Sequence, residues 1–323
     1  MKHQPTLTKF TLFAALAMMP LSIMSQNLAM QPTDSSDAAK SETISTKKSG
    51  IKKKKERKEY SEMIADDSYL IENAINIEPG TLHTITSCTS FRSPTKDMAC
   101  GITQETSFNG GRQVISYSLP YSFLDSNSIR GNGDVAITFR HQLTTEKDWA
   151  VVSPRFTAFL PTGDHSKGMG SGSAGFQFNL PVTKRLSEYF LATFNSGFTF
   201  VPRAMGEDAD GQTVRRSLVS YNLGGSLVWR AHRNFHPMIE YAENFGSEIN
   251  ELGNVSRYNE HVVSPGIGLA WKFKYLRVSP GFAVPISFRD GEFRTGYLFY
   301  FAFEHVLRKH KHVVIAADDR GDK

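Results

Sequence analysis

The sequence predicts an all-β chain that closes as an antiparallel transmembrane β-barrel of about twelve strands. Three observations lead there. From residue 113 onward, stretches of about ten residues alternate apolar with polar or small side chains, the period-two signature of strand. The connections between them alternate short and long, as periplasmic turns and outer loops do in such barrels. The apolar faces are rich in aromatics, while the opposite faces carry Gly, Ser, Thr and Asn where a soluble sandwich would show Lys and Glu.

Taken in order, Ile115, Tyr117, Leu119, Tyr121 and Phe123 oppose Ser116, Ser118 and Ser122. Val135, Ile137 and Phe139 oppose Ala136, Thr138 and Arg140, and Phe156, Ala158 and Leu160 oppose Ser153, Arg155 and Thr157. Phe176, Phe178 and Leu180 alternate with Gln177 and Asn179, then Phe190, Ala192 and Phe194 with Thr193 and Asn195. Val219, Tyr221, Leu223, Leu227 and Trp229 face away from Ser220, Asn222, Gly224 and Ser226. Ile239 and Tyr241 oppose His236, Glu240 and Asn244, and Val263, Ile267, Leu269 and Trp271 oppose Ser264, Gly266 and Gly268. Val278, Phe282 and Ile286 precede a last strand with Tyr297, Phe299, Phe301 and Phe303 on one side. Two weaker strands, 82–91 and 99–108, bring the number to an even twelve. Long loops are expected at 125–133, 162–173, 203–216 and 246–260, the second glycine-rich and flexible.

The first eighty residues read as an export and linker region. Lys2, His3 and Lys9 precede the apolar stretch Phe10 to Met24, which is short and holds Pro20, so residues 1–25 are expected to be a secretory signal peptide. Residues 26–58 form a polar, disordered basic linker with a net charge of +5, equal to that of the whole chain. Its lysines lack the interleaved aromatics of a nucleic-acid surface, so no nucleic-acid partner is expected. Residues 59–80 place Tyr60, Met63, Ile64, Leu70, Ile71, Ala74 and Ile75 at helical spacing before Pro79-Gly80, which predicts a short amphipathic helix, either periplasmic or tucked into the barrel mouth, with the periplasmic placement carried forward. The barrel is expected to occupy 81–307, followed by a polar tail at 308–323.

The stretches "DDSYLIENAINIEPGTLHTIT", "GITQETSF", "GNGDVAITFRHQL", "FLPTGDHSKGMGSGSAGFQFNLPVTKRL" and "PMIEYAEN" together resemble the outer-membrane β-barrel transporter family labelled as a MetA pathway of phenol degradation. The resemblance covers roughly residues 66–307, with Gly133-Asp134 and Pro161-Thr162-Gly163-Asp164 its most specific pieces. It implies a barrel in the bacterial outer membrane that passes small solutes, hydrophobic or aromatic ones among them. The two cysteines and the tail beyond Phe303 depart from the family pattern.

Parity selects the chemistry of the interior. Arg140, Arg155, Arg230, Glu240, Lys272, Arg277 and Glu304 fall opposite the lipid-facing rows, with Arg155 and Glu240 nearest mid-depth as candidates to control passage. Cys88 and Cys100 flank a Pro94-containing turn at the head of the first hairpin and are expected to form a disulfide in an oxidising envelope. Neither a cofactor nor a metal is expected, since His310 and His312 in the charged tail lack further ligands. A barrel hydrolase would most simply need His and Ser two apart on one strand, and His-x-Ser does not occur. The readings carried forward are a channel for small solutes in contact with outer-membrane lipid and, as the alternative, a structural or adhesin-like envelope barrel.

Overall fold

The computed structural model describes residues 68–92, 97–124, 128–250 and 252–307. The expected signal peptide, the basic linker, residues 59–67 and the polar tail lie outside these residues. Twelve strands, each antiparallel to its neighbours, follow one another in sequence order around a ring. They are β1 (Thr81–Phe91), β2 (Met98–Phe108), β3 (Gln113–Leu124), β4 (Val135–His141), β5 (Arg155–Leu160) and β6 (Gly175–Arg185). The second half comprises β7 (Phe190–Glu207), β8 (Thr213–Trp229), β9 (Phe235–Ile249), β10 (Val255–Leu269), β11 (Leu276–Ala283, resuming as Ile286–Arg289) and β12 (Glu292–Val306). The ring closes where β1 pairs with β12 in register from Thr81↔Val306 to Phe91↔Gly296, so no sheet edge is left unpaired. In β11 the interruption falls at Val284-Pro285, where proline has no N–H to give the ladder, yet the pairing with β12 resumes without a shift.

The alternation in sequence becomes an alternation of burial. Tyr117, Phe156, Tyr221 and Phe299 are 45–59% exposed on the outer wall, whereas Ser118, Thr157, Ser220 and Tyr300 are buried in the interior. Cys88 and Cys100 are directly opposite partners of β1 and β2, on outward-facing positions, and are joined by a disulfide with Cα atoms 4.0 Å apart. Outward Glu243 is held by the Tyr241 hydroxyl at 3.3 Å and lies 3.3 Å from His261 Nδ1.

Two of the expected long loops are largely strand. β7 and β8 pair out to Glu207↔Thr213, with a bulge near Arg203, whose φ is 54°, and β9 and β10 pair out to Ile249↔Val255. The glycine-rich loop is not the loose connection its composition suggests. The Asp134 carboxylate accepts hydrogen bonds from Gly163 N at 3.0 Å and from Ser171 N and Oγ at 2.7 Å each, so the two most specific motifs of the sequence form one clasp. Gly170, at φ 109°, is required there because a Cβ would lie 2.6 Å from Asp134 Oδ1. Met169 is buried by the fold of this loop. At its exposed tip, hydrogen bonds from Lys167 and Ser166 hold the Asp164 carboxyl down at about 2.

Two outcomes check this description. Thiol labelling of the unreduced, denatured protein is expected to find no free cysteine; stoichiometric labelling of Cys88 and Cys100 would contradict the disulfide. Asp134→Ala removes hydrogen bonds to a charged acceptor, at a cost on the order of 2 kcal/mol. Limited proteolysis should then cut within 162–173 in the variant and spare the parent protein.

Candidate functional site

The interior is occupied by the chain itself. Residues 68–80 contain bends and a turn and no helix, which departs from the expected amphipathic helix over that stretch. The apolar residues that suggested a helix, Leu70, Ile71, Ala74 and Ile75, are all buried, because they pack on the interior wall of the barrel. The backbone polar groups of this strap find their partners on wall side chains, which removes the need for helical hydrogen bonds.

Glu240, fully buried on β9, sets the first anchor. One oxygen of its carboxylate accepts the N–H groups of Tyr69, Leu70 and Ile71 at 2.9, 2.9 and 3.0 Å. Three successive amides converging on one anion form a nest, a backbone arrangement that binds negative charge without a basic side chain. The Ser68 hydroxyl meets that of Ser226 at 2.8 Å, and the Tyr69 hydroxyl donates to the Ile267 carbonyl at 2.9 Å. The Tyr69 ring stacks on Tyr300 at 4.7 Å, within a cluster that includes Leu70, Ile71, Val228, Met238, Val262 and Leu298. Gly281 permits this packing, since a Cβ there would collide with the Tyr69 ring.

The strap then crosses to the opposite wall. Glu72, fully buried, pairs with Arg155 at the start of β5. Asn195 Nδ2 donates to the Glu72 carbonyl at 2.6 Å, Arg140 Nη1 donates to the Asn73 carbonyl at 3.3 Å, and Ala74 N donates to Thr183 Oγ1 at 2.8 Å. Asn76 N reaches Gln142 Oε1 at 2.9 Å and Asn76 Nδ2 reaches the Gly111 carbonyl at 2.9 Å, while Ile77 packs on Val114. From Glu240 on β9 to Gly111 at the β2–β3 turn, the strap spans the interior before entering β1.

Of the charged residues that parity selected, Arg140, Arg155, Arg230, Glu240, Arg277 and Glu304 are buried in the interior. Arg140 and Arg155 are paired positions across β4 and β5, and Arg277 lies 3.4 Å from Glu304. Lys272 lies on the short exposed strand Trp271–Lys272 after β10, at the position paired with Arg277 of β11. The sequence reading missed Glu72 as a partner for Arg155. It also missed a second group near the opposite end of the strands, where Arg289 pairs with Glu248 and covers the Tyr258 ring at 4.2 Å, and Ser287 Oγ donates to Glu260 at 2.6 Å. Isolated glutamates in loop-like stretches gave no parity signal of their own.

Glu240→Gln leaves the amide oxygen as an acceptor and removes its charge, weakening the nest by about 2 kcal/mol. Hydrogen exchange at the amides of Tyr69, Leu70 and Ile71 is expected to accelerate roughly 30-fold in the variant, while β-ladder amides stay protected. Unchanged protection at all three would remove Glu240 as the anchor.

Comparison with solved structures places this fold among outer-membrane barrels. The chain is similar to the COG4313 outer membrane channel from Pseudomonas putida F1, with a TM-score of 0.54 and 10% identity over 71% of this chain and 96% of that one. Weaker likenesses include the NanC porin, with a TM-score of 0.41, 9% identity and 69% and 98% coverage. Another is the CymD monoaromatic hydrocarbon channel, with a TM-score of 0.37, 11% identity and 73% and 90% coverage. No known family model and no curated protein matches the sequence. The phenol-pathway label therefore rests on the quoted motifs alone, and the likeness to the COG4313 channel is one of fold.

Proposed function

We propose that this protein is an outer-membrane channel for small solutes with apolar or aromatic character, kept closed by the strap at 68–77. The observation that carries this reading is the way the interior is filled. A twelve-stranded ring is wider than the eight-stranded barrels whose interiors wall side chains alone can fill. Here a separate piece of backbone crosses it, bonded to wall side chains at each step and seated on an interior apolar patch that includes Val228, Met238, Val262, Leu298 and Tyr300. Those side chains, exposed once the strap leaves, suit an apolar solute better than a hydrated ion. The aromatic outer wall and the unbroken ring fit a place in lipid, and the signal-like N-terminus fits export.

An adhesin-like role would use the outer loops, but the connections expected to be long there, 203–216 and 246–260, are mostly continued strand, which leaves little free loop for binding. Conductance in a planar bilayer tests the proposal. The intact protein should give small or rare openings, and removal of residues 68–77, or Gly281→Val, should give larger and more frequent ones. Silent membranes with both variants, each showing the heat-modifiable gel migration of a closed barrel, would leave the structural role.

A further inference from the structure

We propose that Arg203, Arg215 and Arg257 form an outward-facing site for the phosphate groups of outer-leaflet lipid. The site goes beyond the channel reading and needs only the outer-membrane placement of the barrel. It lies on the tall side of the wall, where β7 to β10 are longer than the other strands. Their hairpins run on after the pairing of β6 with β7 ends at Phe176↔Phe200 and that of β10 with β11 at Glu260↔Arg289.

A β-bulge sets the direction of the first arginine. Val201 pairs with Leu218 and Ala204 with Arg216, so Pro202 and Arg203 together oppose Ser217. Val201, Ala204 and Leu218 form one buried interior cluster, which turns Arg203 and Ser217 to the outside. Arg203 has a φ of 54°, in the left-handed region that favours glycine. A long cationic side chain is thus held where the backbone alone would select a residue without one, as strained residues at binding sites are. Arg215 lies two residues beyond Ser217 on the same face. Arg257 pairs with Ser247, whose hydroxyl accepts the Val219 amide at 2.8 Å, two residues on the other side of Ser217. With strands about 4.8 Å apart and about 3.3 Å per residue, the three Cα atoms fall within roughly 16 Å of one another.

Depth and charge identify what meets this patch. Phe198, Tyr221 and Phe245 form an exposed row in register across β7, β8 and β9, the aromatic level of a membrane interface. Arg257 is two residues beyond Asn259, the partner of Phe245, and Arg215 is six residues beyond Tyr221. At a strand tilt near 40° they stand about 5 to 15 Å farther out than the aromatic row, in the headgroup layer. All three side chains are exposed, and among the described residues none of the three guanidinium groups makes an ion pair. The nearby acids have other partners. Glu243 is held by Tyr241 and His261, Asp290 by the Asn259 amide and Arg289, and Asp208 by the amides of Asp210 and Gln212. Glu207 and Asp210 lie beyond Arg215, at the hairpin tip. Guanidinium groups bind phosphate oxygens with paired hydrogen bonds, and cations at a lipid surface gain from each anionic headgroup they meet.

The test uses the purified protein in detergent, with bisphosphorylated lipid A, its dephosphorylated form and inorganic phosphate as probes at matched ionic strength. Heat-modifiable gel migration reports the unfolding temperature. Bisphosphorylated lipid A is expected to raise it saturably. Half-saturation should rise by about tenfold or more in the triple variant Arg203→Gln, Arg215→Gln, Arg257→Gln, and by several-fold in Arg215→Gln with Arg257→Gln, which leaves the bulge intact. Lys272→Gln with Lys274→Gln, exposed at the opposite end of the barrel, should leave it unchanged. No stabilisation of the parent, an equal effect of the dephosphorylated lipid or of inorganic phosphate, unchanged half-saturation in the arginine variants, or an equal loss in the lysine variant would overturn the site. Conductance plays no part in this readout, so a silent barrel that binds the phosphorylated lipid keeps the site and loses only the channel.

Discussion

A carboxylate shut away from water needs donors or cations in contact with it, and in this barrel that requirement is met from inside the ring. Glu240 faces inward because its strand alternates, and outward placement would put an ionised group against lipid. Once inside, it has no water to solvate it, and the three amides of Tyr69 to Ile71 supply what water would have given. Arg155 has the opposite need, and Glu72 meets it. The course of the strap across the interior and its lack of helix follow from these two contacts with opposite walls.

The strap is held by a different kind of contact from the barrel around it. The strands are tied to each other by continuous ladders, with eleven paired positions across the β1–β12 seam alone. The strap makes no such ladder. It is tied instead by hydrogen bonds to wall side chains and by apolar contacts, none of which is part of the ring's own ladders.

Much of the barrel was legible in the sequence because its physics is local. Period-two alternation sets which side chains face out, and the same parity turned Arg155 and Glu240 inward. Gly133-Asp134 and the Pro-Thr-Gly-Asp motif were visible as unusual pieces, but that they form one clasp depends on a contact between residues 29 and 37 positions apart. The strap was misread for a related reason. Leu70, Ile71, Ala74 and Ile75 fit a helical stripe, and nothing local says that an acid 169 to 171 residues away will take their neighbourhood's amide hydrogens. Long-range polar partners of irregular backbone leave no periodic trace.

The central claim, that the strap closes the passage and must move to open it, is tested most directly by locking it. Ser68 and Ser226 have hydroxyls 2.8 Å apart, so Ser68→Cys with Ser226→Cys can tie the strap to β8. Single-channel conductance of this double variant should be abolished by oxidation and restored by reductant, with the parent protein under the same reductant controlling for loss of the Cys88–Cys100 bond. Equal conductance in the locked and reduced states would show that solutes do not pass where the strap lies.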